Sequence, residues 1–301
     1  MKAVLLNGYG GVDQLAYTDV PDPKPNPGEV LIKVSGASLN PIDWKLRAGY
    51  LKDIIPLPLP FILGRDAAGV VAALGAGVTK FKVGDKVLGM VEHSYAELVT
   101  AKADDLALIP EGLDMDQAAV IPVVALTGAQ MIERGVKPKG GDAILITGAL
   151  GAVGRVAVFI AKLHGALVTA GVRKSQKAEA QSLGADRVIG LDDEHDLASL
   201  SDLDAIADTV GGATLEKLLP KLKKDGVLAS VLGKPPAAEK ANVRVAEVYC
   251  VPDAKRLAEL ADDVREGDLV IPIGQRFKLR EIREAQTIAE KGGTGKVLIT
   301  P

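Results

Sequence analysis

The 301-residue chain has a single cysteine, Cys250. An internal disulfide is therefore impossible, and a metal centre built on several thiolates is excluded. Cys250 reads as a small buried hydrophobe, and the scarcity of thiols fits a reducing compartment. Excess positive charge is also missing. The net charge is −3, which gives no general attraction to nucleic acid or to acidic membranes. Long apolar runs are absent as well. The two most apolar stretches, IIPLPLPFIL and AAVIPVVALTGA, are broken by proline and shorter than a membrane span. The opening MKAVLLNGYGGVDQ has too few apolar residues for a signal peptide. The expectation is a soluble, cytoplasmic protein with neither nucleic acid nor membrane as partner. Hydrophobic residues at 48% and charged residues at 25% give a globular balance, and the length allows two domains with a core each.

The local pattern changes along the chain. Up to about residue 110 short strand-like runs alternate with turn clusters: VLIKV (30–34), AGVVAAL (68–74), DKVLGMV (85–91) and AELVT (96–100), separated by PDPKPNPGE, GAG and KVGD. That pattern suits a small barrel or sandwich. MDQAAVIPVVALTGAQMIERG has helical spacing interrupted by Pro122. Strand-like and helix-like segments then alternate: AILIT (143–147), GAVGRVAVFIAKLHG, LVTAG (167–171), QKAEAQSLG, RVIG (187–190), LDAIADTV (203–210), ATLEKLLPKL, GVLASVL (226–232) and VRVAEVYC (243–250). Nearly continuous apolar strands in such a series predict a parallel sheet covered by helices on both faces. After Pro252 the rhythm stops. Two helical segments, AKRLAELADDVREG and LREIREAQTIAEKG, flank LVIPIGQRF, and the chain closes on a strand-like GKVLIT.

Between the first strand of the alternating series and its helix lies TGALGAVG (147–154). A helix N-terminus offers free N–H groups and a positive dipole end, and glycines let a pyrophosphate approach the backbone. Gly151 and Gly154 match the last two glycines of a dinucleotide fingerprint, but Ala149 replaces the first, with Gly148 one residue earlier. A pattern so reduced is weak alone, since glycine also serves packing; the flanking strand and helix strengthen it. An acid that would accept from an unphosphorylated ribose is absent from the end of the second strand. LVTAGVRKSQ puts Arg173 and Lys174 there instead. A guanidinium forks onto a 2′-phosphate where a carboxylate would repel it, so the expected cofactor is NADPH. Both cations can also be read as ordinary solvated residues at a helix start. The expected cradle comprises Gly148, Gly151, Ala152, Val153 and Gly154, with Gly171, Val172, Arg173 and Lys174 at the second strand.

The chain resembles the zinc-independent quinone oxidoreductases and enone reductases of the medium-chain dehydrogenase/reductase superfamily. The resemblance runs over essentially the whole length. It rests on PNPGEVLIKV, SLNPIDWKLRAG (38–49), LPFILGRDAAGVVAALGAGVTKFKVGDKV (59–87), SYAEL (94–98), ALTGAQ (125–130), TGALGAVG, SLGAD (182–186), IADTVGG (206–212) and GKVLIT. It implies a fold of α/β plus β class. A GroES-like β-barrel domain, from residues 1–121 and 251–301, carries substrate and catalysis; a Rossmann doubly wound parallel-sheet domain, 122–250, binds NADPH. It also implies that Asn40 and Arg65 occupy positions where the metal-dependent branch places cysteine and histidine ligands. The four-cysteine lobe of that branch is missing. Arginine stays protonated and binds no zinc, so no metal is expected.

Without a Lewis acid, hydride goes most readily to an acceptor that is already electrophilic, such as a quinone or an α,β-unsaturated carbonyl. Asn40 is a candidate donor to the carbonyl oxygen. Lys45 is a candidate to place positive charge near the enolate or the nicotinamide ribose, and the resemblance favours enones where a lysine stands at this position. Asp43 is a candidate to orient Lys45 or Arg65. The alternative for the cluster is a structured loop with Asn40 as turn former before Pro41 and Lys45 as a solvated charge. Thr127, in the LT pair of ALTGAQ, stands near the nicotinamide by resemblance, or is a helix-interior hydroxyl bonded to its own backbone. Aromatics are only 3% of the chain. Trp44 and Tyr50 are thus candidates for a planar substrate's pocket, with core packing or surface placement as the alternative. His93, His164 and His195 form no recognisable catalytic set. Two readings compete: an NADPH-dependent reductase of enones or quinones, and an NADPH-binding structural or regulatory protein with little turnover. A zinc alcohol dehydrogenase loses on its ligands. The resemblance also implies a homodimer paired through the last Rossmann strand, VRVAEVYC.

Overall fold

The computed structural model describes residues 1–241, 243–293 and 295–301. The chain forms two units, Met1–Val123 with Pro252–Pro301, and Val124–Val251.

The first unit opens on a hairpin, β1 (Lys2–Leu6) and β2 (Leu15–Asp19), which pair antiparallel. It lies outside the strand-like runs read from the sequence, since glycines fill its turn and each strand has only five residues. The run at 30–34 belongs to the much longer β3 (Glu29–Leu39). α1 (Pro41–Ala48) follows at once, where a turn-rich loop is the alternative reading of the sequence. Next come β4 (Phe61–Ile62), β5 (Asp66–Leu74), β6 (Lys86–Met90), β7 (Leu98–Lys102), β8 (Leu106–Leu108) and α2 (Met115–Ala119). Asp114 caps α2 by accepting from the N–H groups of Asp116 and Gln117. Pro122 starts a new helix rather than kinking the old one, as its missing N–H allows. That helix, α3 (Pro122–Gln130), contains the boundary between the units.

The second unit is the α/β series: β9 (Ala143–Thr147), α4 (Ala152–Leu163), β10 (Leu167–Val172), α5 (Lys177–Ala180), β11 (Arg187–Gly190), α6 (Glu194–Ala198), β12 (Leu203–Asp208), α7 (Gly212–Leu218), β13 (Leu222–Ser230), α8 (Pro236–Lys240) and β14 (Arg244–Glu247). All six strands are parallel, in the order β11-β10-β9-β12-β13-β14. In order of succession that is 3-2-1-4-5-6, the doubly wound arrangement whose direction reverses between its first and fourth strands. Leu145, Ile189, Ile206 and Leu228 lie in one buried cluster with helix residues Leu215 and Leu218. This explains why the strands read as unbroken apolar runs.

The closing segment returns to the first unit as α9 (Ala254–Glu266), β15 (Ile273–Lys278), α10 (Ile282–Lys291) and β16 (Lys296–Thr300). β16 pairs with β3, placing Val297 opposite Leu39, and so completes a seven-stranded sheet ordered β15-β16-β3-β5-β6-β8, with β7 also on β3. Val297 and Ile299 share a core with Val4, Leu39 and Leu63. Among the described residues no helix is long and apolar enough to cross a membrane.

Candidate functional site

In the first unit the chain leaves β3 at Leu39, and Asn40 turns it into α1 with extended backbone angles, Pro41 opening the helix. An asparagine at such a start ordinarily accepts hydrogen bonds from the first turn. Asn40 instead directs its side chain inward. Its Nδ2 donates to Asp66 Oδ2 at 2.7 Å, and its Oδ1 accepts from Lys296 Nζ at 2.8 Å. The helix start is held from the other side, where Asp43 Oδ2 accepts from the Asn40 backbone N–H at 2.8 Å. The Tyr95 hydroxyl donates to that same oxygen at 2.8 Å. Asp66 further accepts from the Ser38 hydroxyl and from the Val123 N–H, the latter at 2.7 Å. Lys296 Nζ donates to the Leu39 carbonyl at 3.0 Å and lies 3.4 Å from Asp66. All six side chains, Ser38, Asn40, Asp43, Asp66, Tyr95 and Lys296, are buried, Asn40 being 2% exposed.

Loss of water governs the charges here. Burial pushes the Asp43 carboxyl up to about 6; hydrogen bonds from Asn40 and Tyr95 pull against it, the Asp66 charge adds to it and Lys296 opposes it. Asp43 Oδ1 has no hydrogen-bond partner among the described residues, so nothing offsets desolvation at that atom. Burial, then the Asp43 charge, raises the Tyr95 hydroxyl well above its ordinary range. Burial also lowers the Lys296 ammonium, with Asp66 and then Asp43 opposing.

These contacts correct one expectation. Asp43 orients the Asn40 backbone and Tyr95, and it receives no hydrogen bond from Lys45 or Arg65. Lys45 is half-buried in the last turn of α1, with Nζ 5.7 Å from the centroid of the Trp44 ring. Trp44 meets Tyr50 edge-on, centroids 6.0 Å apart, and Tyr50 is 70% exposed, a surface rather than a core aromatic. Zinc does not fit the positions of Asn40 and Arg65. The Asn40 oxygen already faces an ammonium, and the guanidinium of Arg65 cannot surrender its proton. Arg65 Nε is buried without a partner among the described residues.

In the second unit the glycine turn forms a tight cradle. Gly148 has φ +63°, a left-handed conformation that suits glycine. A side chain at Gly154 would strike the Gly148 carbonyl and come within 2.8 Å of Ala149 Cα; at Gly151 it would stand 3.1 Å from the same carbonyl. Gly151 has no side chain with which to cap α4, whose first backbone bond is from Arg155 to Gly151. The N–H groups of Ala152, Val153 and Gly154 thus open the twelve-residue helix without a side-chain cap. The residues fit a pyrophosphate at this point. Gly171 has a packing reason of its own, since an added Cβ would lie 2.8 Å from Leu191. Thr127 is buried in α3.

At the end of β10 the two expected cations part. Lys174 Nζ pairs with Asp193 at 2.8 Å, and its N–H donates to Asp192 at 2.6 Å. The Lys174 contact holds Asp193 down to about 2. These acids arrive from the loop after β11, which inspection of the β10 end alone does not reveal. The Arg173 guanidinium has no hydrogen bond or ion pair among the described residues; only its backbone is engaged, the N–H donating to Gln176 Oε1 and the carbonyl accepting from the Gln176 N–H. A second buried network centres on Asp208 in IADTVGG, a segment whose sequence carries no separate signal for it. Asp208 Oδ1 accepts from the Thr147 hydroxyl at 2.8 Å and from the N–H groups of Val210 and Gly211, while Ser230 donates to Oδ2. The carboxyl ends of β9, β12 and β13 are thereby tied together, on the side of the sheet where doubly wound folds bind ligands.

Comparison with known proteins agrees with both halves of the chain. The family profile for the alcohol dehydrogenase GroES-like domain matches residues 26–111, and the profile named zinc-binding dehydrogenase matches 183–299. A chloroplast envelope quinone oxidoreductase homolog of Arabidopsis thaliana is 31% identical over 324 residues, covering 100% of this chain and 98% of its own. An NADPH-dependent alkenal/one oxidoreductase of the same plant is 31% identical over 318 residues, covering 100% of this chain and 80% of its own. The structure of the quinone oxidoreductase from Coxiella burnetii superposes with a TM-score of 0.91 at 32% identity, covering 100% and 99% of the two chains. With likeness of this extent in sequence and in fold, the chain belongs to the quinone oxidoreductase family of the medium-chain dehydrogenase/reductase superfamily.

Proposed function

We propose that the protein is an NADPH-dependent, zinc-independent oxidoreductase that reduces quinones or α,β-unsaturated carbonyls. The observation that carries the reading is the Arg173 guanidinium, which stands unpaired among the described residues at the end of the second Rossmann strand while its neighbour Lys174 is neutralised by Asp193. A free guanidinium there selects a 2′-phosphate. The pyrophosphate is received by the uncapped N–H groups of Ala152, Val153 and Gly154, in the space kept open by Gly148 and Gly151. NADPH, when bound, supplies the hydride. On the acceptor side, one N–H of Asn40 is taken by Asp66, and the remaining one donates to the carbonyl oxygen of the acceptor. Lys45 adds positive charge as that oxygen becomes enolate-like or quinol-like, Thr127 lines the nicotinamide side, and Asp43 fixes the helix start that carries both Asn40 and Lys45.

The test is the loss of reduced-nicotinamide absorbance against a panel of quinones and enones. Arg173→Ala is expected to raise KM for NADPH by about tenfold to hundredfold, the equivalent of one charge-assisted hydrogen bond, while leaving NADH unchanged. Equal effects on both cofactors would reject the assignment, and saturable NADPH binding without turnover on any acceptor would reject the enzyme. The same reading takes the protein as a cytoplasmic homodimer. β14 is an edge of the six-stranded sheet, with Tyr249 beyond it 74% exposed, and an open edge of that kind can pair with its own copy. Sedimentation at the mass of one chain would exclude this.

A further inference from the structure

We propose that Lys296, from the closing strand β16, is a positioning residue that fixes and polarises the side-chain amide of Asn40. The proposal rests on the reading of Asn40 as the donor to the reacting oxygen. An amide flipped about its last bond has nearly the same shape, so packing alone does not say which end points where. Chemistry decides it here. An ammonium can only donate, so the atom 2.8 Å from Lys296 Nζ must be the carbonyl oxygen. An ionised carboxylate can only accept, so the atom 2.7 Å from Asp66 Oδ2 must be the nitrogen. Flipping the amide would set N–H against ammonium and oxygen against carboxylate at once. Asn40 is therefore held between a donor-only and an acceptor-only partner, each on a different strand.

Lys296 is itself tightly held. It is 4% exposed, and its three donors are directed at the Leu39 carbonyl, Asn40 Oδ1 and Asp66 Oδ2. Its place is set by the antiparallel pairing of β16 with β3, in which the next residue, Val297, faces Leu39. The arrangement also acts on the electrons of the amide. The cation at the oxygen draws charge from the nitrogen toward the carbonyl, which makes the second N–H a stronger donor, while the carboxylate at the first N–H opposes this and serves to fix the orientation. That second N–H has no partner among the described residues. A residue about 250 positions later in the chain thus sets the direction and strength of the donor at Asn40, while the Asp66 carboxylate that shares it is bonded on its other oxygen to the Val123 N–H.

The test uses the full-length protein and has two arms. In the first, the side-chain amide of Asn40 is followed by NMR in asparagine-labelled protein, assigned with Asn40→Ala. In the unmodified protein its Nδ2 protons are expected to show contacts to the Asp66 Hβ protons and none to the Lys296 Hε protons; the reverse would overturn the proposal, and no Lys296 variant is needed to see it. In Lys296→Met, if folded, the Asn40 resonances are expected to shift and the amide protons to exchange faster with solvent; unchanged resonances would overturn it. The second arm is a kinetic double-mutant cycle. Lys296→Met is expected to lower kcat by about tenfold to hundredfold with KM for NADPH unchanged, and to have no further effect in an Asn40→Ala background. Equal losses in both backgrounds would mean that Lys296 does not act through Asn40. Should the unmodified protein reduce no quinone or enone, the functional reading fails by itself, and the NMR arm still decides whether Lys296 sets the amide.

Discussion

Asp43→Asn isolates the energetic consequence of burying a carboxyl whose second oxygen has no partner. The Asp43 pKa of about 6 lies roughly two units above the ordinary aspartate value near 3.9, a difference worth about 3 kcal/mol between the protonated and ionised forms. The sign follows from proton binding. Between about pH 4 and pH 6 the folded protein holds a proton on Asp43 that the unfolded chain has already released, so stability falls as pH rises through that window and is flat above it. Asparagine keeps an oxygen for the Asn40 N–H and the Tyr95 hydroxyl, and it cannot ionise. Its NH2 group then occupies the unpartnered place of Oδ1, a fixed penalty of about 1–3 kcal/mol that does not depend on pH. The absolute stability of the variant therefore decides little. The quantity to measure is the change with pH of the difference between variant and parent. From about pH 4.5 to about pH 7.5 the variant should gain about 2 kcal/mol on the parent, obtained by integrating the linkage relation over that interval. Urea unfolding followed by tryptophan fluorescence is suited to this, because Trp44 is the only tryptophan and adjoins Asp43 in the same unit. A difference that stays constant between the two pH values, or that moves the other way, would refute the assignment of desolvation as the dominant cause at Asp43.

Three further outcomes are expected. Gly154→Ala places a Cβ against the Gly148 carbonyl and Ala149 Cα, both backbone, so α4 must retreat; a loss of about 1–3 kcal/mol in thermal or denaturant unfolding should accompany weakened NADPH binding in fluorescence titration. Asp208→Ala strands the Thr147 hydroxyl and two backbone N–H groups and should cost about 3 kcal/mol, whereas Asp208→Asn can keep an acceptor in the Oδ1 place and should cost about 1 kcal/mol; denaturant melts of the pair distinguish a hydrogen-bond hub from a merely space-filling residue. Asp193→Asn frees Lys174 from its pair, and is expected to tighten the binding of a 2′-phosphorylated adenosine relative to adenosine monophosphate by about severalfold, as titration of the two would reveal.

The features that could be read from the sequence are those whose cause is local. AILIT is buried along nearly its whole length in the middle of a parallel sheet, and RVIG buries its last two residues at the edge, and the two runs mark β9 and β11 to the residue. TGALGAVG declares itself because a tight turn and a close helix both demand glycine in the same eight residues. Features whose cause is distant carry no such local mark. Arg173 and Lys174 look equivalent in sequence, and only the loop after β11, which delivers Asp192 and Asp193, separates a free cation from a paired one. α1 is obscured in the sequence because Asn40-Pro41 is as good a turn signal as a helix start, and the bond from the Asn40 N–H to Asp43 that distinguishes them is a three-residue relation easily read as chemistry instead.

The acceptor-side cluster is only half legible in the sequence for the same physical cause. Asn40, Asp43 and Lys45 were conspicuous together because they share one short segment, yet their partners Asp66, Tyr95 and Lys296 come from three other places in the chain. No periodicity marks such partners: Lys296 sits in GKVLIT as the polar first residue of an otherwise apolar strand, where a lysine is ordinarily solvated. What makes it buried is the pairing of β16 with β3, a contact between residues about 260 positions apart. A lone lysine in that core would be too costly to keep charged, and a lone aspartate likewise. Asp66 and Lys296 are tolerable only together, with Asn40, Ser38 and backbone groups satisfying the remaining donors and acceptors. The donor direction at Asn40 is therefore a property of the completed sheet rather than of the segment in which Asn40 lies.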